Sequence, residues 1–313
     1  ASTGFMARRG RPERGHIGAG GMLGEYAAGS FAAAGAVNAW RMARSTQRGR
    51  HVDVSMFESM LICGTQYWDL HVQFQGGTLG QYQDIPAVEP ASDGWVGFAP
   101  TTSEQSQSFC IMIERPELFE DKANLTADRR LANFDVLREA ITSWTRERSV
   151  DEILELCELM RIPCATVGNG ESLPKTDHIE ARGIYVQNPH GFTQPRVPMQ
   201  LSEFAHEPVK PAPNAGEHEL AWARARNESQ HTVGNAFEGL RVVDLTAFWA
   251  GPFTTLTMAA LGADVIKIES PSRPDGMRFV NVKPGVPMWE GGCIFHGANT
   301  DKRGIVLDLV SDE

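Results

Sequence analysis

Residues 237–269 read FEGLRVVDLTAFWAGPFTTLTMAALGADVIKIE. Arg241 to Thr246 is a short apolar run of strand length, and Ala263 to Ile268 has the same texture. Between them, Ala250-Gly251-Pro252 marks a turn and Phe253 to Leu261 is long enough for a helix. Two buried strands joined by a helix make a βαβ unit. Its turn falls at the carboxyl end of the first strand, where open α/β sheets bind ligands. Gly304 to Leu309 reads as a further strand, so the fold class is α/β.

Upstream the texture changes several times. Residues 1–24 are rich in Gly and Arg and read as loop. Tyr26 to about Arg44 is helical, with small residues suited to close backbone packing. Its apolar run to Trp40 is too short to span a bilayer. His51 to Val54 reads as a strand. Ser55 then starts a helix that runs towards Phe74, with Glu58 completing a capping box. Residues 76–89 read as a linker. Trp95 to Ala99 reads as a strand, Ser103–Ile113, Phe134–Arg148 and Val150–Met160 as helices, and Pro163–Val167 as a strand. From Glu171 to Glu217 the chain has many Pro and His and reads as an extended return segment. Ala221 to Arg226 reads as a short helix, and 227–236 as a linker.

A net charge of -10 disfavours a nucleic-acid surface, although a local basic patch can still hold an anion. Five cysteines without a CxxC pair fit reduced thiols in a cytoplasmic protein better than a disulfide framework. No metal-site spacing is present, and no metal is expected. No secretory leader is visible at the start, and no membrane association is expected.

The motifs GGMLGEYAAG (20–29), RGRHVDVSMFESML (48–61), DGWVGFAP (93–100), RIPCATV (161–167), ARGIYV (181–186) and PAPNAGEHE (211–219) stand in a recognisable order. With the 237–269 block and DKRGIVLDL (301–309), they make the chain resemble the family III CoA-transferases. That superfamily includes formyl-CoA transferase, carnitine CoA-transferase and 2-methylacyl-CoA racemase. In that family the 237–269 block lies at the amino terminus. Here it follows the other motifs, so residues 1–230 resemble the middle and end of one unit and 237–313 the beginning of a second. The expected arrangement is a piece of a tandem fusion, with a circular permutant as the alternative.

The resemblance implies a Rossmann-like large domain, a small α+β domain and long linkers, paired as interlocked rings. Residues 1–89 would belong to the large domain of the first unit and 90–168 to the small domain. Residues 169–230 would form the return segment and linker, and 237–313 the start of the second large domain. The partner would be a second copy, or a second unit of the same chain in a pseudo-dimer. With both large-domain sheets short of strands, low stability in isolation is expected.

The resemblance also implies chemistry. Substrates would be an acyl-CoA, bringing coenzyme A, and a carboxylic acid acceptor. The family's nucleophile is an Asp directly after a Gly at the start of a helix. The matching pair here is Gly24-Glu25, so Glu stands where Asp is expected. At a helix amino end the dipole and free N–H groups favour a carboxylate anion. The extra methylene displaces that carboxylate by about 1.5 Å, and a shift near 1 Å can cost roughly a hundredfold in rate. The bland alternative is a favourable first-turn carboxylate.

The turn Phe248, Trp249, Ala250, Gly251 would contact the CoA adenine and phosphates by ring stacking and close backbone approach. Arg278 lies near the family's basic position, while Arg273, Lys302 and Arg303 are weaker candidates for phosphate contact. His16 and Gly24 would lie near the substrate. The leading function is CoA transfer between carboxylic acids. The alternatives are a 2-methylacyl-CoA racemase-like enzyme, or a degenerate half that props up an active partner unit.

Overall fold

A computed structural model describes residues 3–310 except 8, 11, 12, 14, 66–69, 71, 74, 75, 77–80, 82, 121–132, 201, 203–209, 215, 216, 218–233 and 281. The expected short helix at 221–226, most of the 227–236 linker and the 67–68 stretch lie outside the described residues. The chain forms two compact units, one from residues 1–83 and 225–313, the other from 84–224.

The first unit opens with helix α1 (Leu23–Thr46), which ends in a left-handed Gln47. Small residues let a second segment approach it closely. A methyl on Gly24 would stand 3.2 Å from the Met56 sulfur, and one on Gly35 would stand 2.8 Å from Val52. Helix α2 (Met56–Met60) starts where expected, with Glu58 N–H donating to the Ser55 hydroxyl at 3.2 Å, and continues into a wide turn at Leu61–Thr65. The expected strand at 51–54 does not form, and those residues have no ladder partner among the described residues. Their alternation is satisfied by packing, with Val52 set against α1 at Gly35.

The second unit, residues 84–224, carries strands β1 (Val88–Pro90), β2 (Trp95–Phe98) and β3 (Cys164–Thr166) in an antiparallel sheet of order β1-β2-β3. β1 falls at the end of the expected linker. Its pairing partner lies across the Asp93-Gly94 turn, a signal that requires a strand on both sides. Helices α3 (Ser103–Met112), α4 (Glu117–Glu120), α5 (Phe134–Arg146) and α6 (Val150–Leu159) follow. Full capping boxes at Thr102/Gln105 and Ser149/Glu152 set the starts of α3 and α6. Val96, Phe98, Phe109, Ile141, Trp144, Ile153 and their neighbours make one apolar core. The return segment contains a short helix α7 (Asp177–Ala181) and a hairpin of β4 (Tyr185–Gln187) with β5 (Thr193–Pro195).

The first unit closes with β6 (Arg241–Asp244), α8 (Ala250–Ala260), β7 (Asp264–Glu269), α9 (Cys293–Ala298) and β8 (Arg303–Val306). The three strands are parallel in the order β6-β7-β8, as the βαβ reading requires. Val265 is the most buried apolar residue of the sheet, packed with Ala259 and Ala263. No helix among the described residues is long and apolar enough to cross a membrane.

Candidate active site at the carboxyl end of the parallel sheet

Two side-chain contacts fix the direction of α1 within the first unit. Near its start, Phe31 meets Phe253 edge to face, with ring centroids 6.4 Å apart. Ten residues later, the Arg41 guanidinium lies 5.3 Å from the centre of the Phe237 ring. Phe253 stands at the start of α8, just beyond the carboxyl end of β6. Phe237 stands before β6 and donates its N–H to Leu261 O at the far end of α8, 2.9 Å away. Helix α1 therefore runs parallel to α8 and antiparallel to β6. Its amino end lies at the same end of the sheet as the turn 245–249.

Glu25 occupies the first turn of α1, six residues or about 9 Å along the axis before Phe31. It is exposed and forms no hydrogen bond or ion pair among the described residues. No side chain caps this helix end, so its first amide groups remain available to an anion. Gly24 beside it packs on Met56, which gives that glycine a structural use. His16 lies in the preceding loop, exposed, 3.4 Å from the Gln81 amide nitrogen. That amide also donates to Arg9 O and Gly15 O, so it gathers the loop around itself.

The turn after β6 exposes the rings of Phe248 and Trp249, each 51% accessible. Phe248 has φ 68, a left-handed backbone conformation that a bulky residue avoids. Gly251 leaves no room for a side chain, because a methyl there would run into Thr246. The glycine therefore fixes the close approach of α8 to the strand end. Ala250 opens α8 and is exposed.

Beneath this turn lies a set of buried charges. Asp244, 1% accessible, accepts hydrogen bonds from Thr246 N–H (2.9 Å) and hydroxyl (2.5 Å), from Thr255 (2.6 Å) and from Lys302 (3.1 Å). Burial alone would push its carboxyl up, but these donors outweigh it and hold the group down at about 2. Burial pulls Lys302 below the ordinary ammonium range, partly offset by Asp244. Lys302 also donates to Pro252 O and Asn299 Oδ1, at 2.8 and 2.9 Å.

Lys267 donates to Thr246 O at 2.8 Å and stands 3.2 Å from Asp275 Oδ2. That second contact is a Coulombic pair without hydrogen-bond alignment. The other Asp275 oxygen accepts Phe248 N–H at 3.2 Å and Met277 N–H at 3.0 Å.

Arg278 forms a two-pronged pair with Glu269, at 2.9 and 2.6 Å, and donates to Trp289 O at 2.8 Å. Its guanidinium stacks 3.6 Å from the centre of the Phe295 ring. Burial pushes Glu269 up, but the Arg278 bonds, the Asp275 N–H and the nearby Arg278 and Lys267 charges together hold it below the usual carboxylate range. Of the other basic candidates, Lys302 is committed to Asp244, Arg303 pairs with Asp264 at 2.5 Å, and Arg273 is exposed. No group of His, Cys, Asp or Glu among the described residues is arranged to hold a metal ion. None of the five cysteines, all among the described residues, is in a disulfide.

Sequence reading missed Asp244, Thr255, Lys267, Glu269 and Asp275. One signal was available: Lys267 interrupts the apolar run DVIKIE, and a cation inside a buried strand requires a buried partner.

The chain belongs to CoA-transferase family III, whose pattern it matches over residues 1–219 and 237–313. It is 26% identical over 282 residues to a probable CoA-transferase of Mycobacterium tuberculosis, Rv1866, covering 85% of this chain and 35% of that protein. It is 29% identical over 184 residues to the succinyl-CoA:mesaconate CoA-transferase of Haloarcula hispanica, covering 55% of this chain and 46% of that protein. A CAIB/BAIF family protein from Brucella suis shares the fold, with a TM-score of 0.55 at 21% identity over 69% of this chain and 58% of that one. This chain thus spans under half the length of these two curated relatives. The 282-residue alignment is longer than either matched piece, so it runs through both in the order found here. An alignment of 282 residues at 35% coverage, against 184 at 46%, makes the mycobacterial protein about twice as long as the haloarchaeal one.

Proposed function

We propose that this chain belongs to an enzyme that moves coenzyme A between carboxylic acids, with Glu25 as its nucleophile. The observation that carries this reading is the direction of α1, whose amino end, with Glu25, points to the end of the sheet where the 245–249 turn lies. A carboxylate and a pair of exposed aromatics at that end supply the nucleophile and a seat for adenine.

The Glu25 carboxylate attacks the thioester carbonyl, forming a mixed anhydride and releasing CoA thiolate. The thiolate attacks the Glu25 carbonyl, giving an enzyme–CoA thioester and the first free acid. The incoming carboxylate attacks that thioester, forming a second anhydride and releasing the thiolate again. Attack of the thiolate on the new acyl carbonyl yields the product thioester and restores Glu25. Splitting one exchange into such steps is covalent catalysis. The uncapped amino end of α1 leaves N–H groups available to an anion beside the nucleophile. Phe248 and Trp249 stack on the adenine. Arg278, with one-fifth of its side chain accessible, offers a weak phosphate contact at most, since Glu269 already engages it.

We read the whole protein as two such units in tandem. The alignment with the longer mycobacterial relative supports that order. Packing of 237–313 with 1–83 in one compact unit supplies the parallel strands that the first piece lacks. The partner is a second copy or the second unit, and cysteines outside any disulfide fit a reducing, cytoplasmic compartment.

The test is kinetic, on the full-length protein with succinyl-CoA and a dicarboxylic acid acceptor. Glu25→Gln is expected to lower kcat by about a thousandfold or more, as loss of an attacking group does. Unchanged turnover in that variant would remove Glu25 from the chemistry.

A further inference from the structure

The turn that presents Phe248 and Trp249 is held from below by charges the transfer chemistry does not use. We infer that Asp275 is a positioning residue. It keeps Phe248 in its left-handed conformation and so sets the affinity of the turn for the adenine end of coenzyme A. This inference rests on the reading of 248–251 as the CoA seat.

Four observations carry it. Phe248 is a bulky residue at φ 68, which needs outside support. Its N–H donates to Asp275 Oδ1, and the Asp275 side chain is 1% accessible. Its ring closes over Gly276, where a methyl would stand 2.9 Å from the ring tip. The segment before it is pinned too, because Lys267 holds Thr246 O while Asp244 holds the Thr246 N–H and hydroxyl.

Asp275 is itself oriented by other groups. Its N–H donates to Glu269 Oε1 at 3.1 Å, and Arg278 braces that carboxylate. One oxygen faces two N–H donors and the other faces an ammonium, so the site needs two acceptors. Asparagine offers one acceptor and one donor. In either orientation it sets an NH2 against a donor, although its size is unchanged.

The experiment is calorimetric titration of the full-length protein with coenzyme A and with adenosine 3′,5′-bisphosphate, its head group. Two variants approach Phe248 independently. Asp275→Asn removes an acceptor, and Gly276→Ala pushes the ring without touching a charge. Each is expected to weaken both probes about tenfold. Combining either with Phe248→Ala is expected to add little, because all three act through one ring. Wild-type affinity for both probes in both single variants would overturn the inference and leave the CoA seat standing. So would full additivity with Phe248→Ala. If Asp275→Asn does not fold, Gly276→Ala decides alone. A wild-type protein that binds neither probe would remove the CoA seat itself, and the inference with it.

Discussion

The second unit and the turn above the parallel sheet are held by different physics. In residues 84–224 the centre is apolar: Val96, Ile153 and Cys157 are fully buried, and helices α3 and α6 start at capping boxes. Burial pushes the Cys157 thiol up, an inert state for a cysteine. At the turn after β6 the centre is ionic: Asp244 with Lys302, Lys267 with Asp275 and Glu269 with Arg278. Apolar packing is the more economical way to stabilise a fold, since buried ions carry a desolvation cost. Directional bonds hold backbone groups in fixed places. The ionic region holds a left-handed Phe248 in a strand-to-helix turn, whereas the left-handed residues of the second unit, Glu114 and Arg161, follow the ends of α3 and α6, where helices commonly close that way.

Variants can break this contrast. The largest loss of stability is expected from Lys302→Met, which leaves Asp244 buried with one partner fewer, at about 3–5 kcal/mol in denaturant unfolding. Ile153→Ala, in the fully buried apolar core, is expected to cost about 3 kcal/mol through lost transfer energy and a cavity. A smaller cost for Lys302→Met than for Ile153→Ala would mean that the ionic centre is not integral to the fold.

Acid sharpens the difference. Asp244 is held at about 2 in the folded chain, below its unfolded value near 4. A depressed carboxylate contributes stability that is present above pH 4 and lost as pH falls towards 2, here about 2 kcal/mol. Thr255→Val removes one donor to Asp244 and is expected to shrink that acid-dependent loss, read from unfolding midpoints between pH 5 and pH 2. Thr102→Ala, at the capping box of α3, is expected to cost about 1 kcal/mol with no change in the acid profile.

Much of this fold was legible because it rests on local pattern. The βαβ block, the long small-residue helix and the three helices α3, α5 and α6 follow from periodicity and length. The strand expected at 51–54 failed because a four-residue apolar alternation does not specify a ladder partner. β1 at Val88–Pro90 was hidden in a Pro-containing linker, since its strand character comes from pairing with β2. The proposed site was read from its exposed members, Glu25, Phe248 and Trp249, whose roles are expectations that the variants and the adduct map test. Its buried frame was not, because Asp244 meets Lys302 across 58 residues and Phe248 meets Asp275 across 27. The direction of α1, on which the site depends, came only from the contacts of Phe31 and Arg41.

The most direct measurement maps the covalent adduct. The full-length protein is incubated with an acyl-CoA, trapped with hydroxylamine or borohydride, and the modified peptide is located by mass spectrometry. Modification on Glu25 is the expected result, and it would establish a glutamate nucleophile at the head of α1. Modification confined to a carboxylate outside these 313 residues would contradict it, and would leave Glu25 and its helix as scaffold for another site.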